Sequence, residues 1–208
     1  MANALFVAER GWRARLQSVR PLICPFECVL PWIPQNATVL DVGCGAGLVL
    51  GLLASTGRIA QAVGIDADVE ALDRAVRMAE RMQLAHLEFR YTPAPADWPT
   101  AWFDCVLLID VLHHIAPLAQ DSFLLNALDR VRPRGRFVYK DMASRPVFHA
   151  LANRAHDLLM AQQWIHYIAP AQVIQLAASR GFVLTHRRHV RRYCYAHDLL
   201  VFDRIGGE

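Results

Sequence analysis

The sequence predicts an α/β protein: a mostly parallel sheet with helices on both faces. Three observations predict it. From residue 38 onward, short apolar runs alternate with helical stretches. One of those runs enters a turn with three alternating glycines, and the next ends in an acid. The composition, 54% hydrophobic and 20% charged over 208 residues, suits a packed body and excludes a disordered chain.

Residues 1–37 show no strand alternation. Ala4–Val19 reads as a helix, and Pro21, Pro25, Pro31 and Pro34 punctuate the approach to the first strand, so 1–37 is expected to form an N-terminal helical cap. Thr38–Val42 reads as a strand, Gly47–Ser55 as a helix and Ala62–Ile65 as a second strand ending at Asp66. Asp68–Met82 reads as a helix, with Val69, Leu72, Val76 and Ala79 on its apolar side. Leu87–Tyr91 and Phe103–Ile109 are strands, Ala119–Val131 is a helix, and Gly135–Tyr139 is a fifth strand. Central parallel strands are buried on both faces, which accounts for the near-continuous apolar second and fourth runs. Residues 142–168 read as a helical insertion, a candidate substrate lid, within which Arg145–Gln163 looks helical. Residues 169–208 read as a closing helix, Pro170–Ser179, and a hairpin of Phe182–His186 with Leu199–Phe202. The whole chain is expected to be one domain.

Composition also limits the setting. Five scattered cysteines suggest a reducing compartment. Glu9, Arg10, Arg13 and Arg15 break any signal-peptide pattern. Val42–Gly57 is too short and glycine-rich for a membrane span, and Leu158–Ser179 is too polar. The expectation is a cytoplasmic protein with no transmembrane segment.

The segment Asp41-Val42-Gly43-Cys44-Gly45-Ala46-Gly47 holds the most information. Its glycines let a ligand press against bare backbone. It fails the Gly-x-Gly-x-x-Gly dinucleotide pattern in both registers, and it lacks the lysine of a phosphate loop. Asp66, at the tip of the second strand, can accept hydrogen bonds from ribose hydroxyls.

With Asp110-Val111-Leu112-His113-His114 after the fourth strand and Arg132-Pro133-Arg134-Gly135-Arg136 before the fifth, these residues resemble the class I S-adenosylmethionine-dependent methyltransferases over about residues 38–140. The resemblance implies a Rossmann-like sheet of seven strands, mostly parallel with an antiparallel last strand. It implies S-adenosylmethionine as cofactor and residues 38–141 as its binding core. Asp41, Gly43, Cys44, Gly45 and Gly47 would line the methionine part, Asp66 would hold the ribose, and Ala67 would lie against the adenine. Thr92 and Asp110 would complete the cofactor site. Many relatives carry an acid after the third strand, where this chain has Tyr91-Thr92-Pro93.

A methyltransferase acting on a hydroxyl also needs a base. His113 and His114 are candidates at the carboxyl edge of the fourth strand, and Lys140 and Asp141 at that of the fifth. Lys140 is the only lysine, and a local ion pair with Asp141 is expected. Asp110 and Asp141 could suggest a magnesium site, but Met142 stands where the metal-dependent branch has asparagine, so no metal is expected. His149, Asn153 and His156 share a helical spacing within the insertion and lack a complete zinc set.

Arg10, Arg13, Arg15 and Arg20 near one end, and Arg187, Arg188, Arg191 and Arg192 near the other, form basic clusters. They could meet nucleic acid, a carrier protein or an anionic lipid surface, but the net charge of only +3 makes a nucleic-acid partner the weaker expectation. The expected activity is methyl transfer to a small, largely apolar acceptor. Arg20-Pro21-Leu22-Ile23-Cys24-Pro25-Phe26-Glu27 resembles small methyltransferases of bacterial aryl-polyene and related pigment pathways, which implies a hydroxyaryl or carrier-bound polyene acceptor. The rivals are an RNA methyltransferase and a non-catalytic S-adenosylmethionine-binding protein.

Overall fold

The computed structural model describes residues 26–143, 166–192 and 195–206. The predicted helices Ala4–Val19 and Arg145–Gln163, with His149, Asn153 and His156, lie outside them. The seven strands are ordered β3-β2-β1-β4-β5-β7-β6, and the chain divides after Trp98 into two compact units.

The first unit opens with two short 3-10 turns, Phe26–Cys28 and Leu30–Trp32. It continues with β1 (Ala37–Val42), α1 (Leu48–Ser55), β2 (Ile59–Asp66), α2 (Val69–Arg81) and β3 (Leu87–Tyr91). β1 pairs with β2 and β2 with β3, both parallel. Asp68 caps α2 by accepting the Ala71 N–H at 3.0 Å. The buried face of α2 differs from expectation: Val69 and Val76 are 53% and 41% exposed. Leu72 and Ala79 are buried as expected, joined by Ala71, Ala75 and Met78. The smaller alanines let the helix lie close to its neighbours, and hydropathy alone ranked the valines above them.

Gly47 shows how close that approach is. Its φ is +73°, and a Cβ there would lie 2.8 Å from the Phe89 ring and 3.0 Å from Ala75 Cβ. Left-handed backbone costs a side chain about 1–2 kcal/mol, and overpacking adds about 1–3 kcal/mol. Gly47→Ala should therefore destabilise the protein by about 2 kcal/mol or more. Urea unfolding should show a lower midpoint at unchanged slope; an unchanged midpoint would contradict this packing.

The second unit contains β4 (Phe103–Ile109), α3 (Pro117–Leu128), β5 (Val131–Met142), α4 (Pro170–Ser179), β6 (Phe182–Arg192) and β7 (Tyr195–Arg204). β4 and β5 are parallel, and β7 runs antiparallel to both β5 and β6. The antiparallel last strand is thus present, with β7 inserted between β5 and β6. Pro117 and Pro170 each open a helix, where a missing N–H costs nothing. α3 ends before Val131, which was expected to be helical. That residue instead starts β5, paired with Phe103. Val106, Leu107 and Leu108 are fully buried, each worth about 1.5–3 kcal/mol.

β6 is an edge strand, and it carries arginines. Residues alternate across a strand, so Arg187 and Arg191 face one side and Arg188 the other, in register with Leu200, Ala196 and Leu199. The second of the expected basic clusters, over residues 187–192, is therefore divided between two faces. Charges on an edge discourage pairing with another chain's edge. Among the described residues, no helix is long and apolar enough to cross a membrane.

Candidate functional site

Two clusters stand out, one in each unit. In the first, β1 delivers Asp41 and then the glycine turn. Gly43, Gly45 and Gly47 have φ of +73°, +53° and +73°, which glycine alone adopts freely. The Gly43 and Cys44 N–H groups donate to Ile65 O at 2.8 and 3.1 Å, and the Gly47 N–H donates to Cys44 O at 3.0 Å. Gly45 N–H donates to Asp66 Oδ2 at 2.7 Å. These four donors are all used within the unit, so the turn is not arranged as a phosphate cradle.

Asp66 is held from both sides. Its Oδ2 accepts Gly45 N–H and its Oδ1 accepts Asp68 N–H at 2.9 Å. A carboxylate has about four lone-pair sites, so two hydrogen bonds still leave room for a diol. Ala67, next along, is exposed. At the tip of β3, Thr92 donates its N–H to Asp66 O at 2.9 Å. Its side-chain oxygen is buried without a hydrogen-bond partner, which asks for a polar ligand group. A held carboxylate, an exposed small residue and an orphaned hydroxyl fit the ribose and base of S-adenosylmethionine.

Asp41 is 3% exposed. Burial, and then the charge of Asp66, pushes its carboxyl up to about 8. The Cys44 thiol is also pushed up, by burial and then by Asp41 and Asp66. Cys44 therefore offers a neutral S–H rather than a nucleophile.

In the second unit, the 3-10 turn Leu112–His114 follows β4. His113 is buried and His114 is exposed. The His113 ring Nδ1 bonds Asp141 Oδ1, and its backbone N–H donates to Asp141 Oδ2 at 3.1 Å. Met142 N–H donates to Asp141 Oδ1 at 2.7 Å. Gln120 of α3 fastens the turn by donating to Leu112 O at 3.1 Å and to His166 O at 2.8 Å. His166 N–H in turn donates to His113 O at 2.9 Å. The Tyr139 hydroxyl is pushed well up, first by burial and then by Asp141, Asp198 and Asp110.

The expected Lys140–Asp141 ion pair does not form. Neighbours on a strand point to opposite faces. Asp141 meets His113, while Lys140 Nζ donates to Asp110 Oδ2 at 2.6 Å. His197 of β7 joins that second group. Its Nδ1 lies 3.2 Å from Asp110 Oδ1 and 3.3 Å from Lys140 Nζ. Sequence reasoning missed Gln120 and His197, because neither lies in a motif.

The family described as Methyltransferase domain matches residues 13–187, most of the chain. The chain belongs to the class I S-adenosylmethionine-dependent methyltransferase family. A ubiquinone biosynthesis O-methyltransferase of Rhodopseudomonas palustris (strain HaA2) is 28% identical over 153 residues, 71% of this chain and 58% of the relative. Its counterpart in Ruegeria pomeroyi is 30% identical over 151 residues, 69% of this chain and 58% of the relative. The chain thus spans under two-thirds of the length of these methyltransferases. In fold it is similar to magnesium protoporphyrin IX methyltransferase from Synechocystis PCC 6803 with bound SAH, at TM-score 0.73 and 17% identity, covering 95% of this chain and 89% of that one.

Proposed function

We propose that this methyltransferase O-methylates a small, largely apolar hydroxyaryl acceptor. The buried His113–Asp141 pair carries the reading. When bound, S-adenosylmethionine supplies an electrophilic methyl group on a sulfonium. Asp66, Ala67 and Thr92 are assigned to the ribose and base, and Asp41, the Gly43–Gly47 turn and Asp110 to the methionine end.

The acceptor's need sets the role of the histidine. A phenol has a pKa near 10, so ionising it at pH 7 costs about 4 kcal/mol. An imidazole near pKa 6.5 can take that proton. Asp141 accepts from Nδ1–H, which places the ring's lone pair on Nε2 and favours the imidazolium that proton transfer creates. His113 would hold the acceptor's proton at Nε2 while the oxygen takes the methyl group. The curated relatives' names, O-methyltransferases of ubiquinone biosynthesis, agree in reaction type with a hydroxyaryl acceptor.

The test is release of S-adenosylhomocysteine with S-adenosylmethionine and a catechol probe, beside the same ring as its dimethyl ether. Turnover with the catechol alone is the expected result. No turnover with any catechol or phenol, in a protein shown by calorimetry to bind the cofactor, would reject the reading.

A further inference from the structure

Two buried groups that the methyl-transfer reading above does not use, Lys140 of β5 and His197 of β7, form a network with Asp110. Lys140 and His197 are both 0% exposed, and the Asp110 side chain is 10% exposed. Asp110 follows β4 with φ at +55°, in the left-handed region that few non-glycine residues adopt, and its N–H donates to Lys140 O at 2.7 Å. Its two carboxylate oxygens are divided between Lys140 Nζ at 2.6 Å and His197 Nδ1 at 3.2 Å.

Stability does not account for this trio. A buried ion pair is often replaced by apolar side chains without loss. His197 Nε2 is buried with no hydrogen-bond partner, which costs stability in any protonation state. The arrangement gives something else: a carboxylate fixed at both oxygens, on a strained residue, at the strand edge where such sheets bind ligands.

We propose that Lys140 and His197 are positioning residues that fix the Asp110 carboxylate against the cationic methionine end of the cofactor. This rests on the assignment of Asp110 to the cofactor under the proposed function. These two partners also set the acid's charge. Burial works to raise the Asp110 carboxyl, but Lys140 and then His197 overrule it and hold it well below the usual carboxylate range. These are the titratable groups that face Asp110 from β5 and β7; Tyr139 and Asp141 project to the other face of β5. A buried carboxylate left without both partners would take up a proton near neutrality. It would then offer a cation no charge.

The double variant Lys140→Met, His197→Phe tests the idea by calorimetry with S-adenosylmethionine at pH 6 and pH 8.5. Each affinity is read against the unaltered protein at the same pH, which cancels any titration common to both. The expected result is at least tenfold weaker binding at pH 6, where Asp110 is protonated, recovering to within threefold at pH 8.5. His197→Gln keeps a donor for Asp110 and should bind within threefold of the parent at both pH values. A binding ratio that does not improve with pH, whether near one or large, overturns the proposal, because a merely distorted site has no reason to recover. Thermal melts without cofactor check that the variants fold. Asp110→Asn separates the two possible failures. If it binds the cofactor normally, the assignment of Asp110 to the cofactor is wrong. If it weakens binding while the double variant shows no pH recovery, only the positioning role is wrong.

Discussion

Replacing His113 by alanine should lower kcat with a catechol acceptor by about 10²–10⁴-fold, the usual worth of a positioned acid–base group. Affinity for S-adenosylmethionine should stay unchanged, because His113 has no part in the assigned cofactor contacts. Asp141→Asn should also lower kcat. An amide can turn its N–H₂ toward Nδ1, which shifts the ring proton to Nε2 and removes the lone pair from the reacting side. A base matters only for an acceptor that still carries its proton, so the loss should depend on the acceptor's acidity. With a nitrophenol already ionised at pH 7, His113→Ala should turn over within about tenfold of the parent. The measurement is steady-state release of S-adenosylhomocysteine for acceptors of graded pKa. An equal loss for acidic and ordinary phenols would mean that His113 positions the acceptor rather than deprotonating it.

How much of this arrangement was legible in the sequence depended on distance along the chain. The glycine turn and its acid were legible because local rules act on both. Seven contiguous residues, Asp41–Gly47, carry the turn, and Asp66 ends the next strand, 21 positions from the Gly45 N–H it accepts. The strands of the first unit were legible for the same reason. The partners of Lys140 were not. Asp110 is 30 positions away and His197 is 57, brought alongside only because β7 inserts antiparallel beside β5. Adjacency in sequence suggested a Lys140–Asp141 pair, and strand alternation forbids it. Helix α2 teaches the complementary lesson. Its period was correct, but tight packing selected Ala71 and Ala75 over Val69 and Val76, which no hydropathy ranking anticipates.

Asp41 should make the protein less stable as pH rises, the reverse of the usual behaviour of a carboxylate. Its carboxyl in the folded protein, at about 8, lies far above the 3.8 of an ordinary aspartate. The folded protein therefore holds a proton that the unfolded chain has released between those values. Its contribution is fully present below about pH 4 and is lost progressively as pH rises through 8. Each pKa unit is worth about 1.4 kcal/mol, so roughly 2–3 kcal/mol should disappear between about pH 6 and pH 9. Asp41→Asn replaces the buried acid with a neutral group of the same shape. Its stability relative to the parent should therefore rise by roughly 2–3 kcal/mol over that interval, as read from urea unfolding at the two pH values. A pH-independent difference would show that Asp41 is already ionised in the folded state. The same proton links to the cofactor. A cation placed near Asp41 favours the ionised carboxyl, so binding S-adenosylmethionine near neutral pH should release a proton and tighten as pH approaches 8. Calorimetry in two buffers of different ionisation enthalpy counts that proton. Asp41→Asn should abolish its release, and an unchanged release would assign the proton to another group.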